Sequence, residues 1–162
     1  MNTLIISWQR LVGDTGQTCD RCGTTQEEVR RAHAQLRTSL SSLDIDVVLE
    51  EKTLTAADTI VESNRIWIAG KPLETWLNAT FGTSDCPSCG SLVGEDVTCR
   101  TIIVDERVYE SIPAELIVKA GFLAAANLMT GPAAVSPCCG SEGSSAKSSS
   151  GDSCCSTSCG CS

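Results

Sequence analysis

Apolar and polar positions alternate along the chain in two rhythms. Leu4, Ile5, Ile6 and Trp8 give residues 4–12 the content of a strand, and Gly13-Asp14-Thr15-Gly16 follows as a loop. Val29, Ala32, Leu36, Leu40 and Leu43 then recur at helical spacing. They predict a helix starting near Cys19, capped by Thr18 and running to about Leu43. Residues 45–49 are rich in β-branched side chains and read as a second strand, and residues 65–69 as a third, ending at Gly70-Lys71-Pro72. Residues 53–62 carry a weaker pattern, read as a short helix, and residues 73–77 form a second short helix or turn. Residues 81–99 read as a Gly- and Cys-containing loop. Residues 101–104 and 107–112 can pair as a hairpin across Asp105-Glu106. Pro113 opens a last helix, with Leu116, Ile117, Ala120, Leu123 and Ala124 as its core face.

The rhythm stops at Gly131-Pro132. Residues 131–162 are Ser, Gly and Cys with almost no large apolar side chains, and such a segment cannot bury enough surface to offset its ordering entropy. The expectation is one α/β domain over residues 1–130 and a disordered tail over residues 131–162. The domain carries 18 acidic and 11 basic residues, and the whole chain of 162 a net charge of -8, so the basic footprint of a nucleic-acid binder is missing. No apolar run reaches the ~18 residues of a membrane span. The first twelve residues lack the basic start and unbroken apolar core of an export signal. A cytoplasmic protein is expected.

Eleven cysteines change the picture. In a reducing compartment they point to metal or redox chemistry rather than to a disulfide framework. Thr18-Cys19-Asp20-Arg21-Cys22 falls where a strand gives way to a helix. Unpaired N–H groups and the helix dipole stabilise negative charge there, and the thiolate is both nucleophile and metal ligand. In a CxxC pair, Cys19 would attack a disulfide and Cys22 would resolve the mixed disulfide. Arg21 would favour the thiolate and Asp20 oppose it. Two inert buried thiols, or a plain zinc pair, are the ordinary alternatives.

Strand, CxxC, long helix and strand, followed by Ser63-Asn64-Arg65-Ile66-Trp67-Ile68-Ala69-Gly70-Lys71-Pro72, resemble the thioredoxin and glutaredoxin pattern. Counted back from Gly70, Asn64 stands where that family has its cis-proline. In the family this proline faces the CxxC and keeps metals off the thiols, so its replacement implies easier capture of a metal or metalloid. The same segment, continued through Leu73, Glu74, Trp76 and Leu77 into a cysteine-rich loop, is similar to an uncharacterised thioredoxin-like family, a domain of unknown function associated with arsenic and heavy-metal resistance. A rival resemblance exists. Gly16-Gln17-Thr18-Cys19-Asp20-Arg21-Cys22 is similar to the GMTCxxC loop of heavy-metal-associated domains. The long helix, and the ten-residue segment 53–62 that precedes the next strand, favour the thioredoxin-like order.

Cys86-Pro87-Ser88-Cys89-Gly90 has the CPxCG form of a zinc knuckle, and Cys99 lies ten residues beyond Cys89. Three thiols in one loop suit a soft ion; zinc needs a fourth ligand, from the first pair, the tail or elsewhere, whereas As(III) needs three. The tail adds Cys138, Cys139, Cys154, Cys155, Cys159 and Cys161. Adjacent thiols are awkward for a relaxed disulfide but can share one soft ion. A flexible chain of ~25 residues spans ~25–30 Å, enough to return to the domain.

The expected function is thiol–disulfide exchange at Cys19 and Cys22, with a disulfide protein or small thiol as partner and no cofactor required. The second reading is a non-enzymatic binder or chaperone for Zn, As(III), Cu(I) or Hg(II), with a metal-transfer partner. A zinc-stabilised module held by Cys86, Cys89 and Cys99 is the third. His33 lies 14 positions after Cys19, ~21 Å along a straight helix, too far to act as its base. Trp8, Trp67 and Trp76 read as packing.

Overall fold

The computed structural model describes residues 1–55 and 62–131. Within them the chain is a mixed α/β fold of two sheets and four α-helices. The first sheet has the order β2-β1-β3-β4, built from β1 (Asn2–Leu11), β2 (Ile45–Leu54), β3 (Arg65–Ile68) and β4 (Lys71–Pro72). The strands β1 and β2 run parallel, joined by the 21-residue helix α1 (Asp20–Leu40), and β3 is antiparallel to β1. Parallel neighbours need such a crossover. Along β1 the alternation is clean: Leu4, Ile6 and Trp8 are buried, while Thr3 and Ile5 face outward.

The buried stripe of α1 consists of Cys22, Thr25, Val29, Ala32, Leu36 and Leu40. It packs against the last helix, α4 (Ala114–Thr130), and both helices touch β1. Gly121 makes the approach possible: a Cβ there would sit 2.4 Å from Cδ1 of the fully buried Leu36. Glu28 of α1 also caps α4, its carboxylate accepting the Ala114 N–H at 2.7 Å.

Several expectations are corrected. The α-helix ends at Leu40, and a single 3-10 turn over Ser41–Leu43 leaves Leu43 half exposed rather than in the stripe. Thr18 does not cap α1; its hydroxyl donates to the Leu11 carbonyl at 2.9 Å, and Cys19 is the N-cap residue. The strand β2 continues to Leu54 because its polar second half lies on the sheet edge, in register with β1 as far as Leu11. Thr53 and Leu54 of the expected short helix are therefore strand, and residues 56–61 lie outside the described residues. On α4, Ile117, Ala120 and Ala124 are buried as expected, joined by Ala114, Val118, Gly121 and Ala125, but Leu123 is exposed. Small residues line this face because α1 comes so close.

The largest correction concerns residues 81–99. They are not a loop but β5 (Thr80–Asp85), helix α3 (Pro87–Val93) and the start of β6 (Thr98–Val104). With β7 (Arg107–Tyr109) they form a second, antiparallel sheet of order β5-β6-β7. The polar β5 is a strand because it pairs with apolar β6, not through any pattern of its own. The short helix α2 (Leu73–Leu77) connects β4 to this second sheet.

Candidate thiolate site

Cysteines from the starts of α1 and α3 and from β6 come together. Cys19 ends the loop after β1 and caps α1 with extended backbone dihedrals. Its Sγ accepts the Cys22 N–H at 3.5 Å. Cys86 is the N-cap of α3, Pro87 is that helix's first residue, and Cys89 follows one turn later. Pro suits that first position because its missing N–H would have no helical partner. Gly90 is needed where it stands, since a Cβ would meet the Glu95 carbonyl oxygen at 2.9 Å. Cys99 lies on β6 opposite Ser84.

The Sγ atoms of Cys19, Cys86 and Cys89 all lie within 4.8 Å of one another. The grouping expected from sequence was Cys86, Cys89 and Cys99; the tightest trio instead takes Cys19 from the first motif. The charge state of Cys99 depends on Cys89 and Cys86, and that of Cys22 on Cys19. All five are unpaired thiols and buried, Cys19 at 3 % and Cys22 at 1 % exposure. Cys19, expected to attack a disulfide, is thus covered. The six tail cysteines, Cys138, Cys139, Cys154, Cys155, Cys159 and Cys161, lie outside the described residues.

The electrostatics are those of thiols sharing negative charge. Contacts from Cys22 and then Cys89 hold the Cys19 thiol far below the ordinary range, against the opposing effect of burial. Cys22 is pushed up, first by donating to Cys19 and then by burial. Cys89 rises because it donates to Cys19 and Cys99. Burial raises Cys86. Contact with Cys89 lowers Cys99 to about 7, burial opposes that shift, and the Arg21 charge assists it. Charge therefore gathers on Cys19 and Cys99.

One neighbour, Ser63, was not legible in the sequence as a site residue. Ser63 places its Oγ 3.3 Å from Cys22 Sγ and accepts the Leu11 N–H at 3.0 Å. Asn64, at the position compared with a cis-proline, follows a trans peptide and has φ +61°, a left-handed conformation that Asn tolerates. Its side chain accepts from Trp8 Nε1 at 3.3 Å and donates to the Glu110 carbonyl at 3.2 Å. The hydroxyl against the CxxC pair is thus that of Ser63, one residue earlier. Arg21, expected to support the Cys19 thiolate, reaches instead to the strand before Cys86. His33 bonds through Nε2 to the Val47 carbonyl at 3.0 Å, tying α1 to β2. Trp8 is fully buried, and Trp67 and Trp76 are partly so.

No helix among the described residues is long and apolar enough to cross a membrane. Residues 4–121 match the family described as a domain of unknown function, DUF2703. An uncharacterized protein of Archaeoglobus fulgidus is 39% identical over 118 residues, covering 70% of this chain and 82% of that relative. No solved structure matches the chain. The family match takes in Cys19, Cys22, Cys86, Cys89 and Cys99 and stops before the tail. The chain belongs to the DUF2703 family.

Proposed function

We propose that this protein captures a soft metal or metalloid ion with the thiolates of Cys19, Cys86 and Cys89, Cys99 and Cys22 standing beside them. The observation that carries the reading is the meeting of three buried sulfurs from two separate motifs within 4.8 Å. A Zn–S bond of ~2.3 Å implies a sulfur–sulfur separation of ~3.8 Å in a tetrahedral site, so closing on an ion requires movements of ~1 Å or less. Thiolates select soft ions, among which Zn, As(III), Cu(I) and Hg(II) fit the donor set. Lowered Cys19 and Cys99 supply two thiolates, and the ion displaces the remaining protons on binding. The strand-helix-strand opening, followed by the β3–β4 hairpin, supports a thioredoxin-like scaffold for this chemistry.

The test is titration of the reduced, full-length chain with its six tail cysteines changed to serine, so that only the domain thiols report. Cd(II) and As(III) should each bind at one equivalent with sulfur-to-ion absorption, and Cys19→Ser, Cys86→Ser and Cys89→Ser should each abolish tight binding. Five freely titratable thiols in the presence of an equivalent of ion would sink the reading.

The N-cap position of Cys19, with the Cys22 N–H aimed at its sulfur, favours a second reading, disulfide exchange. The Cys19 thiolate would attack a disulfide sulfur and release one thiolate; Cys22 would then displace the second, leaving a Cys19–Cys22 disulfide. The burial of both sulfurs ranks this below ion capture for any protein-sized partner. Loss of disulfide reductase activity in Cys19→Ser would support it.

A further inference from the structure

The two motifs sit at the starts of different helices, α1 and α3, and neither CxxC nor CPxCG sets the distance between them. That distance depends on what joins them, and direct packing of α1 on α3 is slight. Arg21 does join them. Its Nη1 donates to Ser84 Oγ at 2.9 Å and to the Ser84 carbonyl at 3.5 Å. Its Nη2 donates to the Asp85 carbonyl and, at 2.8 Å, to Glu110 Oε1. Ser84 Oγ donates to the same Glu110 oxygen at 3.0 Å, and Ser111 Oγ donates to the Arg21 carbonyl at 3.4 Å. The side chain is only 13% exposed. A residue between the first two cysteines therefore grips the two residues immediately before the third.

We propose that Arg21 is the positioning residue of the thiolate site, its forked guanidinium holding Cys86 and Cys89 within reach of Cys19; this rests on the ion-capture reading. The geometry demands arginine rather than any cation. The fork meets two carbonyls, a hydroxyl and a carboxylate at once, which a lysine ammonium on a flexible stem does not reproduce. The same guanidinium sets a positive charge beside a centre that turns net negative once three thiolates surround a divalent ion. Arg21→Lys separates the two contributions, keeping the charge and losing the fork.

The experiment uses the full-length chain with serine at the six tail cysteine positions, titrated with Cd(II) against a competing chelator. Arg21→Lys and Arg21→Met should both weaken binding by roughly 10–100-fold, the usual effect of losing a partner outside the ligand set. Sulfur-to-cadmium absorption per bound ion should also fall, because fewer sulfurs reach the ion. Glu110→Gln keeps the Ser84 and Asp85 bonds and should lose less. Wild-type affinity in Arg21→Lys would overturn the proposal by showing that charge suffices. Weaker binding with undiminished absorption per ion, tracking a loss of ion-free stability, would also overturn it. A second arm needs no ion: a short bis-alkylating thiol reagent, with products mapped by mass spectrometry. It should bridge Cys19 to Cys86 or Cys89 in the parent chain and not in Arg21→Met. If the parent chain binds no Cd(II), the ion-capture reading fails while this cross-link still decides the role of Arg21. Unchanged cross-linking in Arg21→Met overturns it.

Discussion

Arg100→Met should destabilise the fold strongly by removing one member of a buried ion pair. Arg100 follows Cys99 on β6 and points the other way, toward α2, where Nε and Nη2 donate to Glu74 Oε1 at 3.0 and 2.7 Å. The side chains are 9% and 14% exposed, and Glu74 Oε2 has no partner among the described residues. The guanidinium also lies 4.0 Å over the Phe81 ring. Removing one member of a buried pair costs about 3–5 kcal/mol because the other charge stays uncompensated. Glu74 keeps slight solvent access, which favours the lower end. Phe81 is 60% exposed, so losing the stack adds only about 0.5 kcal/mol. The expected loss is about 3–4 kcal/mol. In urea this lowers the midpoint by roughly 2 M for a slope near 1.5–2 kcal/mol/M. Adding Glu74→Leu removes the stranded carboxylate and should recover most of the loss. The assay is reversible urea unfolding of the reduced, ion-free chain. A loss below about 1 kcal/mol, or a double variant no more stable than Arg100→Met, would refute the reasoning.

Two further outcomes are expected. Ser63→Ala strands the buried Leu11 N–H and removes the hydroxyl beside Cys22, so urea unfolding should show a loss of about 1–3 kcal/mol. Cys99 ionises at about 7 instead of the ordinary 9.0, so thiolate absorbance of the ion-free chain should rise through neutral pH, and Cys99→Ser should remove that step. An acid lowered in the folded state adds stability above its unfolded pKa and loses it as pH falls through the folded value. The stability difference between the parent chain and Cys99→Ser should therefore narrow from pH 9 to pH 7, as read by urea midpoints.

Where a stretch of sequence carried its own period, it was legible. Val29, Ala32, Leu36 and Leu40 marked the face of α1, and Leu4, Ile6 and Trp8 marked that of β1, because each element buries one side against a core. The pairing of Cys19 with Cys22 was likewise readable, since three residues make one helical turn. Residues 81–99 were misread for the complementary reason. Thr80–Asp85 is polar and mostly exposed, and becomes a strand only because Ile102 and Ile103 of β6 lie across from it. Leu123 was assigned to the core because hydropathy cannot say that α1 comes close enough to require Gly121 and the neighbouring alanines there.

The sequence by itself determined the donors: soft sulfurs, in two short motifs, with local spacing that fixes each pair. Only the tertiary structure decided their company. It brought Cys19 to Cys86 and Cys89 rather than leaving Cys99 to complete that trio, set Ser63 rather than Asn64 against Cys22, and turned Arg21 from a charge beside a thiolate into a bridge from α1 to β5. Sulfurs more than sixty residues apart are joined by the packing of separate elements. No local period encodes that packing; the hydrogen bonds and buried contacts between those elements do.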